Sequence, residues 1–184
     1  MSKVGVDSFL SIYLQEYQSL KAEQTARIGF RDNLLYVTLV TVGGILSFSL
    51  ANQNYYALLL IPWACTILGW TYLANDEKIT AIRRYIQSNL AIKIAHLIEQ
   101  QDDSRMFAWE TEHRSSSQIG RRKIEQLIID ELTFVASGFS SLTAFYTLAP
   151  ESSVLLILIS GVEGFLLLCL GTEIAVYYNL AKKS

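Results

Sequence analysis

Apolar positions along this chain gather into four long runs and leave the segments between them polar. The runs are residues 34–50 (LLYVTLVTVGGILSFSL), 55–74 (YYALLLIPWACTILGWTYLA), 132–149 (LTFVASGFSSLTAFYTLA) and 154–178 (VLLILISGVEGFLLLCLGTEIAVYY). Crossing a hydrocarbon core as a helix takes roughly 17–25 mostly apolar residues. Each run fits that window, and three of them carry no formal charge. None alternates apolar and polar at every second position, as the strand of a membrane barrel would. The pattern therefore predicts four transmembrane helices in two hairpins. The competing reading is four buried helices of a soluble bundle, and the run lengths favour the membrane.

The polar segments are patterned too. Val6, Phe9, Leu10, Tyr13, Tyr17 and Leu20 share one helical face, continued by Gln24, Ile28 and Arg31. No proline interrupts, so this helix is expected to run into the first span. Ile79, Ile82, Ile86, Leu90, Ile94 and Leu97 form a second stripe at spacings of three and four, which predicts an amphipathic helix over 78–100. Residues 101–118 read as a polar connection, and 119–130 as a helix feeding the third span. Acidic and basic residues are mixed in these helices, so packing together is favoured over lying flat on a membrane.

Composition agrees with the pattern. Hydrophobic residues make up 51% and charged ones 17%, against about 25% charged in average soluble proteins. Disorder, a collagen-like repeat and a disulfide-stapled module are excluded by the apolar content, ten Gly, two Pro and two Cys. A net charge of -2 with no basic excess argues against a nucleic-acid partner. The opening residues lack a signal-peptide core, and neither end carries a lipidation motif.

The distribution of charge sets an expected orientation. All fifteen Lys and Arg residues lie outside the two short connections, 51–54 and 150–153. The positive-inside rule puts the basic side in the cytoplasm. The expected protein is thus an all-α integral membrane protein with four transmembrane helices and a helical cytoplasmic extension. It is multi-pass in the cell (inner or plasma) membrane with both termini cytoplasmic. Its expected segments are a cytoplasmic amphipathic helix (1–33), a first transmembrane hairpin (34–74), a cytoplasmic helical segment (75–130) and a second hairpin (131–180).

Several residues are candidates for function. Glu163 lies about ten residues into the fourth run, roughly 15 Å deep. An ionisable residue at that depth is a functional hypothesis by default. Counting inward equally from the other short-loop ends reaches Thr41, Cys65, Thr66, Ser140 and Ser141, a candidate polar layer. No Lys or Arg lies in any run, so Glu163 is expected to be neutral. It reads as a proton or cation site, as one of a ring of acids lining an oligomeric pore, or as a neutral acid bonded to a Ser or Thr.

Thr133, Ala136, Ser137, Ser140, Ser141, Ala144 and Thr147 form a small, hydroxylated face on the third run. Ser160, Gly164, Gly171 and Ala175 do so on the fourth, and Gly43 and Ser47 pair on the first. These faces read as close helix packing or as a pore lining. Pro62 is expected to kink the second span. Arg27 and Arg31 at the inner edge are expected to pair with Asp130, Glu131 and Glu173, or to bind anionic lipid head groups.

No catalytic motif is present: HExxH, Walker A, the Rossmann glycines and GxSxG are all missing. No enzyme, cofactor or metal is expected. Glu110, Glu112 and His113 cluster without a regular ligand set and read as a solvated loop. Cys65 and Cys169 lie at different depths and are not expected to pair. In size and architecture the chain resembles the small multi-span membrane effectors of bacterial anti-phage systems, an analogy of outline. Two functional expectations follow. One is a non-enzymatic, oligomeric pore or channel-type effector whose cytoplasmic helices receive a signal or partner. The other is a membrane-anchored scaffold or assembly factor whose cytoplasmic helices bind a partner protein. The expected partners are the lipid bilayer, further copies of the chain and a cytoplasmic protein.

Overall fold

The computed structural model of the protein describes residues 3–97, 119–149 and 153–183; these are all-helical, with no strand among them. Helix α1 runs over Lys3–Ala51, followed by a 3-10 turn at Tyr55–Leu59 and α2 at Leu60–Tyr85. A π turn at Ile86–Leu90 leads into α3, Ala91–Leu97. Then come α4 (Ile119–Asp130), a second π turn (Glu131–Ala136), α5 (Ser137–Leu148) and α6 (Val154–Lys183). Four helical segments, Ser8–Asn52, Tyr55–Leu97, Ile124–Leu148 and Val154–Asn179, are long and apolar enough to cross a membrane. The expected connection 101–118, with Glu110, Glu112 and His113, lies outside the described residues.

With no internal proline, α1 continues unbroken for 49 residues, about twice the length a span requires. It stops at a left-handed residue, Gln53, with φ 52°. The Asn54 amide donates to the Ser49 carbonyl at 3.1 Å, and the Ser49 hydroxyl donates to the Asn54 carbonyl at 3.0 Å. These bonds satisfy helix-end groups that would otherwise be orphaned.

The chain divides into two compact units. One comprises Met1–Arg31 and Asn75–Ile119; the other comprises Asp32–Ala74 and Gly120–Ser184.

In the first unit, the early half of α1 packs antiparallel on the late half of α2 and α3. The Arg27 Nη1 donates to the Asn75 carboxamide at 3.3 Å, and Asn75 Nδ2 donates to the Arg27 carbonyl at 2.7 Å. Farther along, Gln24 Nε2 reaches the Ile79 carbonyl at 3.5 Å, and the Tyr85 hydroxyl donates to Glu16 at 2.7 Å. Lys93 lies over the Tyr13 ring at 5.8 Å. The core of this unit is the second stripe: Ile79, Ile86, Leu90, Ala91, Ile94 and Ala95 are buried. The α1 stripe is less covered than its pattern predicts, since Phe9 is 48% exposed.

In the second unit, all four apolar runs contribute to two buried clusters. One holds Leu58, Leu59, Ile61, Cys65, Leu142, Phe145 and Leu167. The other holds Leu34, Tyr72, Phe134, Leu170 and Ile174, with the Tyr72 and Phe134 rings 5.3 Å apart. Two glycines permit this approach. A Cβ on Gly69 would lie 2.5 Å from Leu170 Cδ2, and one on Gly138 would lie 2.6 Å from Leu167 Cδ1.

The third run is rotated from its expected setting. Its buried residues are Phe134, Gly138, Ser141, Leu142 and Phe145, so large rings rather than the small, hydroxylated residues dominate the covered face. Thr133, Ala136, Ser137 and Ala144 are half-buried, while Ser140 and Thr147 are exposed. The π turn at Glu131–Ala136 inserts residues relative to a 3.6-residue period, which the α-helical reading did not include.

Pro62 also differs from expectation. It stands in the first turn of α2, just after the 3-10 turn, so it marks a helix junction and not a mid-span kink. A proline there lacks the N–H that would bond the carbonyl of Leu58, four residues back. That carbonyl accepts a hydrogen bond from the Ser141 hydroxyl of α5 at 2.6 Å.

Candidate functional site

Ser160, Glu163, Leu167, Leu170 and Ile174 make the buried stripe of α6, spaced by threes and fours. The apolar members seat α6 against α2 and α5, and the same geometry carries Glu163 inward to 1% exposure. Neither carboxyl oxygen has a hydrogen-bond partner. The Trp63 indole of α2 is a donor facing the carboxyl, without completing a bond of good geometry. One turn from Trp63 on the same face of α2, the buried Thr66 hydroxyl is also unpartnered. Buried polar groups are nearly always satisfied in folded proteins. Two unsatisfied ones on the facing helices of one unit mark this as the chemically unusual place in the described residues.

Polar groups extend from it in both directions. Toward the end where α5 stops and α6 starts, Ser160 is 3% exposed and its hydroxyl bonds the hydroxyl of Tyr146. Tyr146 itself is 51% exposed. Toward the opposite end, the Cys65 thiol and the Ser137 hydroxyl lie 3.3 Å apart, and Ser137 donates to the Thr133 carbonyl. Both cysteines are free thiols.

The expected polar layer is therefore only partly assembled. Glu163, Thr66 and Ser141 are buried, and the Ser141 hydroxyl is occupied by Leu58. Thr41 is half-buried, and the covered hydroxyl of α1 is instead Thr38, which donates to the Leu34 carbonyl. Ser140 points away from the core because the buried stripe of α5 passes through Gly138 and Ser141. Gly164 meets Leu142 at an ordinary 3.8 Å, whereas Gly171 lies tightly against Glu131, whose Oε2 is 3.2 Å from its Cβ position. Gly43 faces open space.

The basic residues at the inner edge have acidic partners within their own unit. Arg31 pairs with Asp76 at 2.7 Å, and Arg27 with Glu23 at 2.6 Å. Asp130, Glu131 and Glu173, expected as their partners, belong to the other unit. There Asp130 accepts from Gln126 at 2.9 Å, Gln126 also reaches the Tyr72 hydroxyl, and Glu173 is exposed. Asp76 was legible in the sequence: it is the second residue past the second apolar run, at the level of Arg31.

Among the described residues no cluster of His, Cys, Asp and Glu is arranged to hold a metal ion. No family model matches the chain, and no curated protein or solved structure is significantly similar to it.

Proposed function

We propose that this chain is an integral, multi-pass protein of the cell membrane, with both termini cytoplasmic, that acts as an oligomeric, channel-type effector. In this reading residues 34–74 and 131–180 form two transmembrane hairpins. Residues 1–33 and 75–130 form the cytoplasmic part that receives a signal or partner. The observation that carries the reading is Glu163: a carboxyl without a partner at 1% exposure, in the most apolar helix of the chain. Such a group is expensive in hydrocarbon, and its retention points to ion or proton handling.

The burial of Glu163 alters where a path would run. The carboxyl faces the interior of its own four-segment unit, so conduction belongs within each subunit's bundle and not to a ring of acids at an oligomer axis. The exposed face carrying Ser140 and Thr147 is then available to a neighbouring copy.

The test is reconstitution of purified protein into liposomes, with oligomer mass and ion flux read on the same preparation. Multimers with flux that falls in Glu163→Gln support the proposal. A monomer without flux removes it.

A second reading, the membrane-anchored scaffold, is favoured by one observation. In the part assigned to the cytoplasm, Phe9, Ile12 and Leu14 are 48%, 57% and 43% exposed. Apolar side chains so placed in water fit a protein partner. Phe9→Glu with Ile12→Glu tests this by loss of partner capture without loss of fold.

A further inference from the structure

We infer that Glu163 is a proton-binding site reached from the α5–α6 end of the bundle through the hydroxyl pair Tyr146–Ser160. The inference rests on the membrane placement proposed above and names the ion that the site takes. The argument begins with what else is present. The segments packed around Glu163 bring no Lys, Arg or His and no second carboxyl at its level. Their titratable groups are the Cys65 thiol and the phenols of Tyr55, Tyr56 and Tyr146.

A metal cation is poorly served by such a site. Hard cations take six or more oxygen ligands, whereas the unpartnered oxygens here are two from Glu163 and one from Thr66. A proton needs one carboxylate oxygen. Its binding removes the unpaired buried charge that an apolar setting penalises most. It also converts one oxygen into a donor, and the Thr66 hydroxyl is an acceptor without a partner on the facing helix.

The route follows from helix geometry. Ser160 precedes Glu163 by three residues on the same buried face, which sets their Cβ atoms about 5–6 Å apart. A rotamer change of the glutamate brings its carboxyl toward the serine hydroxyl. Ser160 already bonds Tyr146, which is half exposed. The Ser160 hydroxyl donates to the Ile157 carbonyl at 3.0 Å and so accepts from Tyr146; turning its O–H from Ile157 to Glu163 lets the pair pass a proton inward without holding charge.

The experiment uses the full chain in liposomes and a hydrophobic carbodiimide, dicyclohexylcarbodiimide. A protonated carboxyl adds its O–H across one C=N bond of this reagent, and the O-acylisourea formed rearranges to a stable N-acylurea with no atom lost. One adduct per chain in neutral buffer, mapped by mass spectrometry to Glu163 and absent from Glu163→Gln, is the expected result. The carboxylic C=O stretch in infrared spectra should vanish in the same variant. After a pH jump, its rate of change should slow several-fold in Ser160→Ala and Tyr146→Phe.

An unlabelled Glu163 in wild-type protein, or a C=O band that persists in Glu163→Gln, overturns the proton site. Unchanged exchange rates in both hydroxyl variants overturn the route. Flux plays no part in these readouts. A labelled Glu163 in a protein without flux leaves the proton site standing and removes the channel reading.

Discussion

Alanine substitutions at four glycines should change stability in opposite directions. At Gly69 a new Cβ would sit 2.5 Å from Leu170 Cδ2 and 3.2 Å from Phe134 Cγ. Ordinary carbon contacts lie at about 3.5–4.0 Å, so Leu170 must move by roughly 1 Å. Leu170 and Phe134 are both fully buried, and overpacking of that kind costs about 1–3 kcal/mol. Gly138→Ala meets three atoms of the equally buried Leu167, the nearest at 2.6 Å. Replacing a helical glycine with alanine recovers about 0.5–1 kcal/mol, which leaves a net loss of up to about 2.5 kcal/mol at either site.

Gly43 and Gly44 have nothing within 4 Å of the same position. There only the helix-propensity term acts, and Gly44→Ala should be neutral or stabilising by up to about 1 kcal/mol. The assay is equilibrium unfolding in mixed micelles by a denaturing detergent, followed by tryptophan fluorescence and far-ultraviolet circular dichroism. The double variant Gly69→Ala/Leu170→Ala should lose less than the sum of its parts, because the two changes share one space. Equal midpoints for Gly69→Ala and Gly44→Ala would refute the close approach of α2 and α6.

Ser141→Ala should cost about 0.5–1.5 kcal/mol in the same titration, since it removes one buried hydrogen bond from the Leu58 carbonyl, which keeps a backbone N–H; an unchanged midpoint would mean that this bond contributes nothing to the packing of α5. Glu163→Met should raise stability by about 1–3 kcal/mol, because it removes a buried group without partners and keeps its volume; a destabilised variant would show that the carboxyl makes a structural bond. A double-mutant cycle on Arg31 and Asp76 should give a coupling near 1 kcal/mol, reduced by salt, because each side chain is about a quarter exposed; a coupling indistinguishable from zero would remove this pair as a brace of the first unit.

The long elements were readable because their signals are long. Four apolar runs and the stripe from Ile79 to Leu97 predict helices, and helices stand there. The hidden features depend on single residues. A π turn leaves no composition signature, so periodicity alone left the hydroxylated face of the third run as packing surface or pore lining, and Gly138 and Phe134 were not seen as its packed face. Gly69 lies in a run whose large neighbours mask it, and only the position of Leu170 reveals its role. Glu163 was conspicuous as a charge among apolar residues. Its missing partners were not, because hydroxyls at matching depth exist in the sequence, yet Ser141 bonds elsewhere and Thr66 stays unpartnered. Ser141 serves Leu58, and Thr38 serves its own helix. For ion pairing, matching depth names many acids, and the pair seen for Arg31 within its own unit is Asp76, brought beside it by the antiparallel helix pair.

The bond between Ser141 and Leu58 gives Pro62 a role in assembly. A bilayer interior offers no water to an unbonded carbonyl. In the proposed membrane placement the Leu58 carbonyl keeps one helix-end backbone N–H, and Pro62 leaves its second lone pair open at a defined height. The second hairpin can dock in many rotations and heights on apolar contact alone, and the observed one delivers the Ser141 hydroxyl to that acceptor. Sliding α5 by a turn carries the Ser141 hydroxyl away from Leu58 and sets Ser137, Gly138 or Phe145 there instead. The proline thus acts as a keyway for helix pairing, selecting among alignments that hydrophobicity leaves nearly equal.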